Sequence, residues 1–378
     1  MSFSGLFDGL DGEREGCAPV CFNAFIGLDG FVDEIVHVVK KRYDADRYER
    51  VLTMTEYGKW ISDASGLSFN VEIETVFQKL GGNGPIFALG LKRYGAAVTY
   101  IGCVGEGAPD PVFRELEDGA EVIGVADPGR TDAMEFEDGK IIRGKLSPIN
   151  KLSWEMIAAK LPAERFAACM DQADLISFNN WSMILHMNDI WKHILDETVP
   201  AMQEDPGGKV VFFDLADPEK RESGQVLEAL GLIKKFKEKG FETVLGLNRK
   251  EACEIIEIIS GSKFEDYRAV ELKPLCEQIA EYMDVDCVVV HPVENAACIK
   301  DGEYYTVNGP FCAKPVLTTG AGDNFNAGFM YGYMNRLGME ACLLMGVMSS
   351  GFYVRNGRSA DLSDIRGFAE QWEKGTLV

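Results

Sequence analysis

The chain has 378 residues, 46% hydrophobic and 26% charged, enough for one large α/β domain or two small ones with a sizeable core. Sixty acidic residues against 38 basic leave a net charge of −22, a field that disfavours nucleic acid and anionic membranes. An anionic small ligand is then held only where backbone amides, a few local cations or a metal overrule that field.

The N-terminal MSFSGLFDGLDGERE carries acids and no long apolar run, so neither a secretory signal nor a transit peptide is expected. No stretch reaches membrane-spanning length without charge. Ten cysteines lie scattered without a CxxC pair and only four histidines occur, which argues against a zinc site and for buried, reduced thiols in a cytoplasmic protein.

The first strand candidate is PVCFNAFIG (19–27). GLDGFVDEIVHVV (27–39) follows it, with Asp29 and Asp33 just past the strand. FVDEIVHVV (31–39) and FNVEIETVF (69–77) partly alternate, as strands with one buried face do. LGGNGPIFALGLKRYGAAVTYIGCVGE (80–106) holds a glycine pair, a helix from Pro85 ended by Gly95, and a second buried strand. TDAMEFEDGKIIRGK (131–145) predicts a hairpin around Asp138-Gly139, a dipeptide suited to a type I′ turn.

Beyond it, ADLISFN (173–179), GKVVFFDLA (208–216), FETVLGLN (241–248) and VDCVVVHP (285–292) are near-continuous apolar strands. Helical patterns over 182–203 and 223–240 separate the first three, which argues for a mainly parallel sheet covered on both faces. CIKDGEYYTV (298–307) predicts another hairpin, turning at Asp301-Gly302. The one expected domain spans residues 1–378, with a small protruding sheet, a lid, built from about 28–40, 66–80 and 130–147.

LTTGAGDNFNAGF (317–329) opens the next helix, whose apolar face runs Phe325, Phe329, Tyr333, Leu337, with Gly338 as its expected stop. Free amides and the positive dipole end at Gly320 to Asp323 make a natural anion site, with Asp323 projecting beside it. An aspartate in a first helical turn is also a common cap, so the residues alone leave both readings open.

GAGD followed by an aromatic and a small-residue helix resembles the C-terminal signature of the ribokinase-like, or PfkB, carbohydrate kinases. The matches keep the family's order from about Val20 to about Gly357. The resemblance implies a ribokinase-like three-layer α/β/α fold with a β-sheet lid. It makes Asp323 the general base and Gly320, Ala321 and Gly322 the anion hole for a moving phosphoryl group. Asn248 and Glu251 match the family's NxxE element, which organises Mg²⁺ and its waters. Asp29 or Asp33, with Gly82 and Asn83, would hold acceptor hydroxyls; of the two acids, Asp33 reads more readily as an exposed strand residue. Asn179, which with Asn180 terminates the strand ADLISFNN, would join them. Asp214 or Asp217, Thr318 and Gly357 would face the nucleotide.

Three departures stand out. Leu317 replaces the family's leading Asp, which argues against potassium activation. His291, Pro292, Val293 and Ala296 replace the usual nucleotide-side residues, and Ile86 stands where an Asn is usual. The implied activity is transfer of the γ-phosphoryl of ATP, with Mg²⁺, to a hydroxyl of a sugar or sugar acid. Alternatives are a nucleoside kinase, an ADP-dependent sugar kinase (GxDxxVD with GGNGPIFA is similar to that group), or a silent sugar- or nucleotide-binding regulator. A homodimer through the lid is implied as well. A dinucleotide oxidoreductase is excluded because GGNGPIFA lacks the GxGxxG spacing.

Overall fold

Unbroken apolar runs decide the architecture. In the computed structural model, which describes residues 21–377, every residue of LISF, VVFFD and CVVV is buried, as strands covered on both faces require. The N-terminal stretch read for targeting lies outside the described residues. The strands in the first half are β1 (Asn23–Leu28), β2 (Phe31–Arg42), β3 (Tyr48–Arg50), β4 (Ile73–Gly81), β5 (Ala97–Gly102), β6 (Glu121–Gly124), β7 (Gly129–Phe136) and β8 (Gly139–Lys145). Those in the second half are β9 (Leu175–Phe178), β10 (Val210–Asp214), β11 (Glu242–Leu247), β12 (Cys287–Val290), β13 (Asn295–Lys300) and β14 (Glu303–Asn308).

The large sheet has the order β14-β13-β12-β11-β10-β9-β1-β5-β6, parallel from β12 to β6 and antiparallel at β13 and β14. Residues of β1 feed two cores. Phe25 and Leu28 join Phe166, Phe178 and Trp191 on one face, while Ala24 and Ile26 join Phe87, Phe325 and Phe329 on the other. Parallel strands end at one edge, so the polar residues closing β1, β9, β10, β11 and β12 gather there. Ligands bind at that edge in open α/β sheets, where strand order reverses, and the reversal here falls at β1.

The small sheet runs β3-β2-β7-β8, with β4 also paired to β2. Val36, Val38, Met134 and Phe136 give it a core of its own, closed by Val51 and Tyr57. Its longer strands are Phe31–Arg42, Ile73–Gly81, Gly129–Phe136 and Gly139–Lys145. Strand β3 and the helix Met54–Asp63 complete it, and neither carries an alternating pattern.

Three local expectations need correction. Asp138-Gly139 does form a hairpin, but its two loop residues are Glu137 and Asp138, neither with positive φ, so the turn is not type I′. Asp301 and Gly302 do have positive φ, at 52° and 77°, as type I′ demands. The pattern over 182–203 turns helical only at Met187, because 181–186 folds back as turns at the end of β9. Gly338 does not stop the Ala321–Met334 helix, which ends at Asn335; it caps the next one, Met339–Asn356. Among the described residues six cysteines are buried, none is in a disulfide, and no helix is long and apolar enough to cross a membrane.

Candidate active site

The Ala321–Met334 helix begins at Gly320, whose φ of 98° a side chain rarely adopts. A Cβ there would lie 2.8 Å from Tyr353 Oη and 2.9 Å from Ile86 Cδ1, so only glycine lets the chain turn this sharply into the helix. Ala321 N–H is already bonded to the Thr318 carbonyl at 3.1 Å, and Asn324 N–H to that of Gly320 at 3.1 Å. Among the described residues the amides of Gly320, Gly322 and Asp323 at this turn have no backbone acceptor. Of the three residues to which the resemblance assigns the anion hole, Gly320 and Gly322 have free amides and that of Ala321 is taken; Asp323 adds another free donor.

Asp323 is buried in a row of acids. Burial pushes its carboxyl well above the usual range, the charges of Asp214 and Asp29 add to this, and Asn83 and Lys79 pull it back. Asp214 is raised well above its usual range too, by burial and then by Glu251. Burial is likewise the main cause that raises Glu251. Asp29 is raised to about 6 by burial, against hydrogen bonds from Asn180, Gly84 and Asn83.

Two cavities meet at this helix end. One, of about 250 Å³, is lined by Asp33, Lys79, Gly82, Asn83, Thr131, Asn180, Thr319, Gly320 and Asp323, with Phe31, Ile35, Ile86, Ala133, Ile142 and Met183 as its apolar walls. The other, of about 320 Å³, is lined by Asn248, His291, Pro310, Phe311, Thr318, Ala321, Gly322, Phe325 and Val347 among others.

The structure reverses the emphasis on the two early acids. Asp29 is fully buried and its oxygens are taken by Asn83 N–H at 3.0 Å, Gly84 N–H at 2.9 Å and Asn180 Nδ2 at 2.6 Å. It shapes the glycine-pair loop, where a Cβ on Gly82 would lie 2.7 Å from Asp29 Oδ2. Asp33 is not an exposed strand residue. It is 6% exposed, lines the first cavity and accepts a 2.6 Å bond from Thr131 Oγ1.

Asn179 accepts from Ser177 at 2.5 Å and lies outside both linings, whereas Asn180 lines the first cavity with its Oδ1 buried and unpartnered. Asp217 pairs with Lys220 at 2.7 Å on the surface. Gly357 closes the Met339–Asn356 helix at φ 68° and lines neither cavity. Thr318, by contrast, lines the second cavity.

Asn248 and Glu251 form a reciprocal capping box at the Arg249–Ser260 helix, with Glu251 Oε2 accepting from Asn248 N–H at 2.8 Å. Glu251 Oε1 accepts from Asp217 N–H at 3.1 Å, while Asp214 accepts from Ala216 N–H at 3.0 Å and Asn326 Nδ2 at 2.9 Å. Among the described residues no three His, Cys, Asp or Glu side chains cluster closely enough to hold a metal ion. The arrangement nevertheless fits hydrated Mg²⁺, which keeps its waters and binds through few carboxylates. Glu251 acts on Asp214 and Asp214 on Asp323 by like-charge repulsion, and a nucleotide phosphate would meet the same repulsion unless a divalent cation offset it.

Several site residues escaped the sequence reading. Lys79, on β4, lies two residues before the glycine pair and reaches the Thr319 carbonyl at 3.3 Å. Lys140, on β8, reaches Thr319 Oγ1 at 3.4 Å. Tyr353 donates to the Thr319 carbonyl at 2.7 Å. The sequence carried no signal for Lys79, because its pairing with Asp33 across β2 and β4 is set by sheet register. His291 stacks on Phe325 at 4.5 Å, and burial pushes its pKa down to about 4, so the second cavity meets a neutral ring.

A mainly parallel α/β/α sheet, a separate small sheet and this helix-end site define a ribokinase-like fold. The solved adenosine kinase of Sinorhizobium meliloti matches it with a TM-score of 0.64 and 17% identity, over 93% of this chain and 100% of that one. The Arabidopsis thaliana ribokinase complexed with ribose and ATP matches with a TM-score of 0.61 and 16% identity, over 93% and 99%. These two likenesses are of fold.

The model of the prokaryotic ketohexokinase family matches residues 21–372, and the chain belongs to that family. It is a sugar kinase, a phosphotransferase with an alcohol group as acceptor. A ketohexokinase of Haloferax volcanii is 26% identical over 346 residues, 91% of this chain and 89% of that protein. An uncharacterized sugar kinase of Archaeoglobus fulgidus is 28% identical over 267 residues, 68% and 91% respectively.

Proposed function

We propose that this protein transfers the γ-phosphoryl group of ATP to a hydroxyl of a free ketohexose. The carrying observation is that two cavities abut one helix N-terminus, with Asp323 and Gly320 lining one and Ala321 and Gly322 the other. The ketohexokinase of Haloferax volcanii, matched over most of both chains, supports the choice of acceptor.

In this reading the sugar occupies the first cavity. Asp33, Asn83 and Asn180 take its hydroxyls, and the unpartnered Asn180 Oδ1 accepts one of them. The neutral His291, Phe311 and Pro310 contact the nucleotide in the second cavity, beside Thr318. Asp323 accepts the proton of the attacking hydroxyl, the acceptor oxygen bonds to γ-phosphorus, and the β–γ bridging bond breaks with its electron pair leaving on ADP. Gly322 and Asp323 amides donate to the oxygens of the moving group. Mg²⁺ supplies charge neutralisation at the phosphates, with Glu251, Asp214 and Asn248 as the residues that would orient it through water. The small sheet acts as a lid that excludes water, which would otherwise accept the phosphoryl group. ATP and Mg²⁺ of this kind suit a cytoplasmic enzyme.

A panel of ketohexoses, aldoses, sugar acids and nucleosides, each with ATP or ADP and Mg²⁺, tests the reading by acceptor-dependent nucleotide turnover. The expected result is ATP consumption with a ketohexose at a kcat/KM at least about tenfold above every other class, a gap of about 1.4 kcal/mol in transition-state binding. Preference for a nucleoside, for ADP as donor, or binding without turnover would replace it with one of the alternatives.

A further inference from the structure

We propose that Lys79 is a catalytic cation delivered by the small sheet: its ammonium contacts the phosphoryl group in transfer, opposite the Gly322 and Asp323 amides. This rests on the phosphoryl-transfer reading above and extends it to a residue on a different sheet.

The position of Lys79 is fixed twice. It faces Asp33 in the β2–β4 register, and two residues later the chain enters the Gly81-Gly82 turn into the Asn83–Arg93 helix. Its Nζ lies 3.3 Å from the Thr319 carbonyl, 3.3 Å from Tyr353 Oη and 3.7 Å from Asp33 Oδ2. Thr319 directly precedes Gly320, so the charge stands at the mouth of the helix.

Its neutralisation is incomplete. The Lys79 side chain is 15% exposed, and its carboxylate partner stays 3.7 Å away. Elsewhere in the fold, Lys145 meets Asp132 at 2.7 Å and Lys300 meets Glu242 at 2.6 Å. The Tyr353 hydroxyl proton is committed to the Thr319 carbonyl, which leaves Lys79 a neutral oxygen on each side. A mostly buried ammonium without a close counter-ion is costly, and burial lowers its pKa, opposed by Asp33 and Asp323. A phosphoryl oxygen is the ligand that would complete it.

The chemistry asks for such a charge. During transfer, negative charge spreads over three equatorial oxygens, while two amides reach the group from the helix side. Lys79 approaches from the small sheet, whose strand β4 already holds its charge at the mouth of the helix. It keeps its protons throughout: the acceptor's proton goes to Asp323 and the bond electrons to ADP. Lys140 approaches the same loop but also faces Glu135 at 3.5 Å, and no part in the reaction is assigned to it.

Steady-state kinetics of Lys79→Met, Lys79→Gln, Lys79→Arg and Lys79→Ala decide the matter, with acceptor Kd from calorimetry. The expected result is a kcat about 10²–10³-fold lower for Lys79→Met, with acceptor Kd within about threefold of wild type. Lys79→Arg should lose less than Lys79→Gln, and added ethylammonium should restore kcat in Lys79→Ala by about tenfold or more. A kcat within about threefold of wild type, or a raised acceptor KM at unchanged kcat, overturns the proposal and leaves Lys79 a lid contact. Should Lys79→Met not fold, the Arg and Gln pair decides by the same criterion. A wild-type protein without acceptor-dependent transfer would defeat the function proposed above instead, so the two failures are distinguishable.

Discussion

Asp323→Asn lowers kcat by about 10²–10⁴-fold while acceptor Kd, measured by calorimetry, changes by less than about threefold, the signature of a positioned base. The amide keeps the size of the side chain and the first helical turn, so the cavity survives and only proton acceptance is lost. The same variant tests a pH effect. Asp323 is raised well above the ordinary carboxylate range by burial, then by Asp214 and Asp29, with Lys79 opposing. The base must be ionised, so wild-type kcat/KM falls as pH drops through that raised pKa, and the acid limb lies above the usual carboxylate range. In Asp323→Asn the limb attributable to this group disappears. A variant with wild-type turnover and an unchanged limb would remove Asp323 from the reaction.

The second large effect is structural. Asp29→Ala strips a fully buried carboxylate acceptor from Asn83 N–H, which is half-buried, and from Gly84 N–H and Asn180 Nδ2, which are buried. Each buried donor left unmade costs about 1–3 kcal/mol, and the three share one partner, so a loss of about 3–5 kcal/mol is expected in urea denaturation. The sign with pH follows from the folded pKa of about 6 against the ordinary 3.8. A carboxyl raised on folding favours the folded state when protonated. The advantage of wild type over Asp29→Ala is therefore largest below the lower value and shrinks as pH rises through about 6. Catalysis falls with it, since Asn83 and Asn180 line the acceptor cavity. A variant as stable as wild type would mean that Asp29 does not organise the glycine-pair loop.

The parallel sheet was legible because VVFFD and CVVV are unbroken apolar runs, whereas at the helix end GAGD showed a turn and an acid but left a cap and an anion site both open until the family resemblance favoured the second. Which of two neighbouring polar residues turns inward was not legible. Asn179 and Asn180 are adjacent at the end of β9, and Asn180 reaches the cavity because its backbone adopts φ 65°, a state that asparagine tolerates and no spacing announces. Asp29 and Asp33 differ by what each meets. Asp29 faces the amides at the start of the Asn83–Arg93 helix, and Asp33 meets Lys79 from a strand 46 positions later in the chain. Pairing of that kind belongs to sheet register, which a single chain's pattern leaves open for a partly alternating strand. Glu251 was legible as a helix-start acid, but its commitment to two backbone amides depends on where Asp217 comes to rest.

The most direct measurement is a crystal structure of the wild-type protein with Mg²⁺, a non-hydrolysable ATP analogue and a ketohexose. It should place one sugar hydroxyl within about 3 Å of an Asp323 carboxylate oxygen and γ-phosphate oxygens within about 3 Å of the Gly322 and Asp323 amides. A γ-phosphate seated away from this helix end, or a sugar whose hydroxyls all turn from Asp323, would contradict the account.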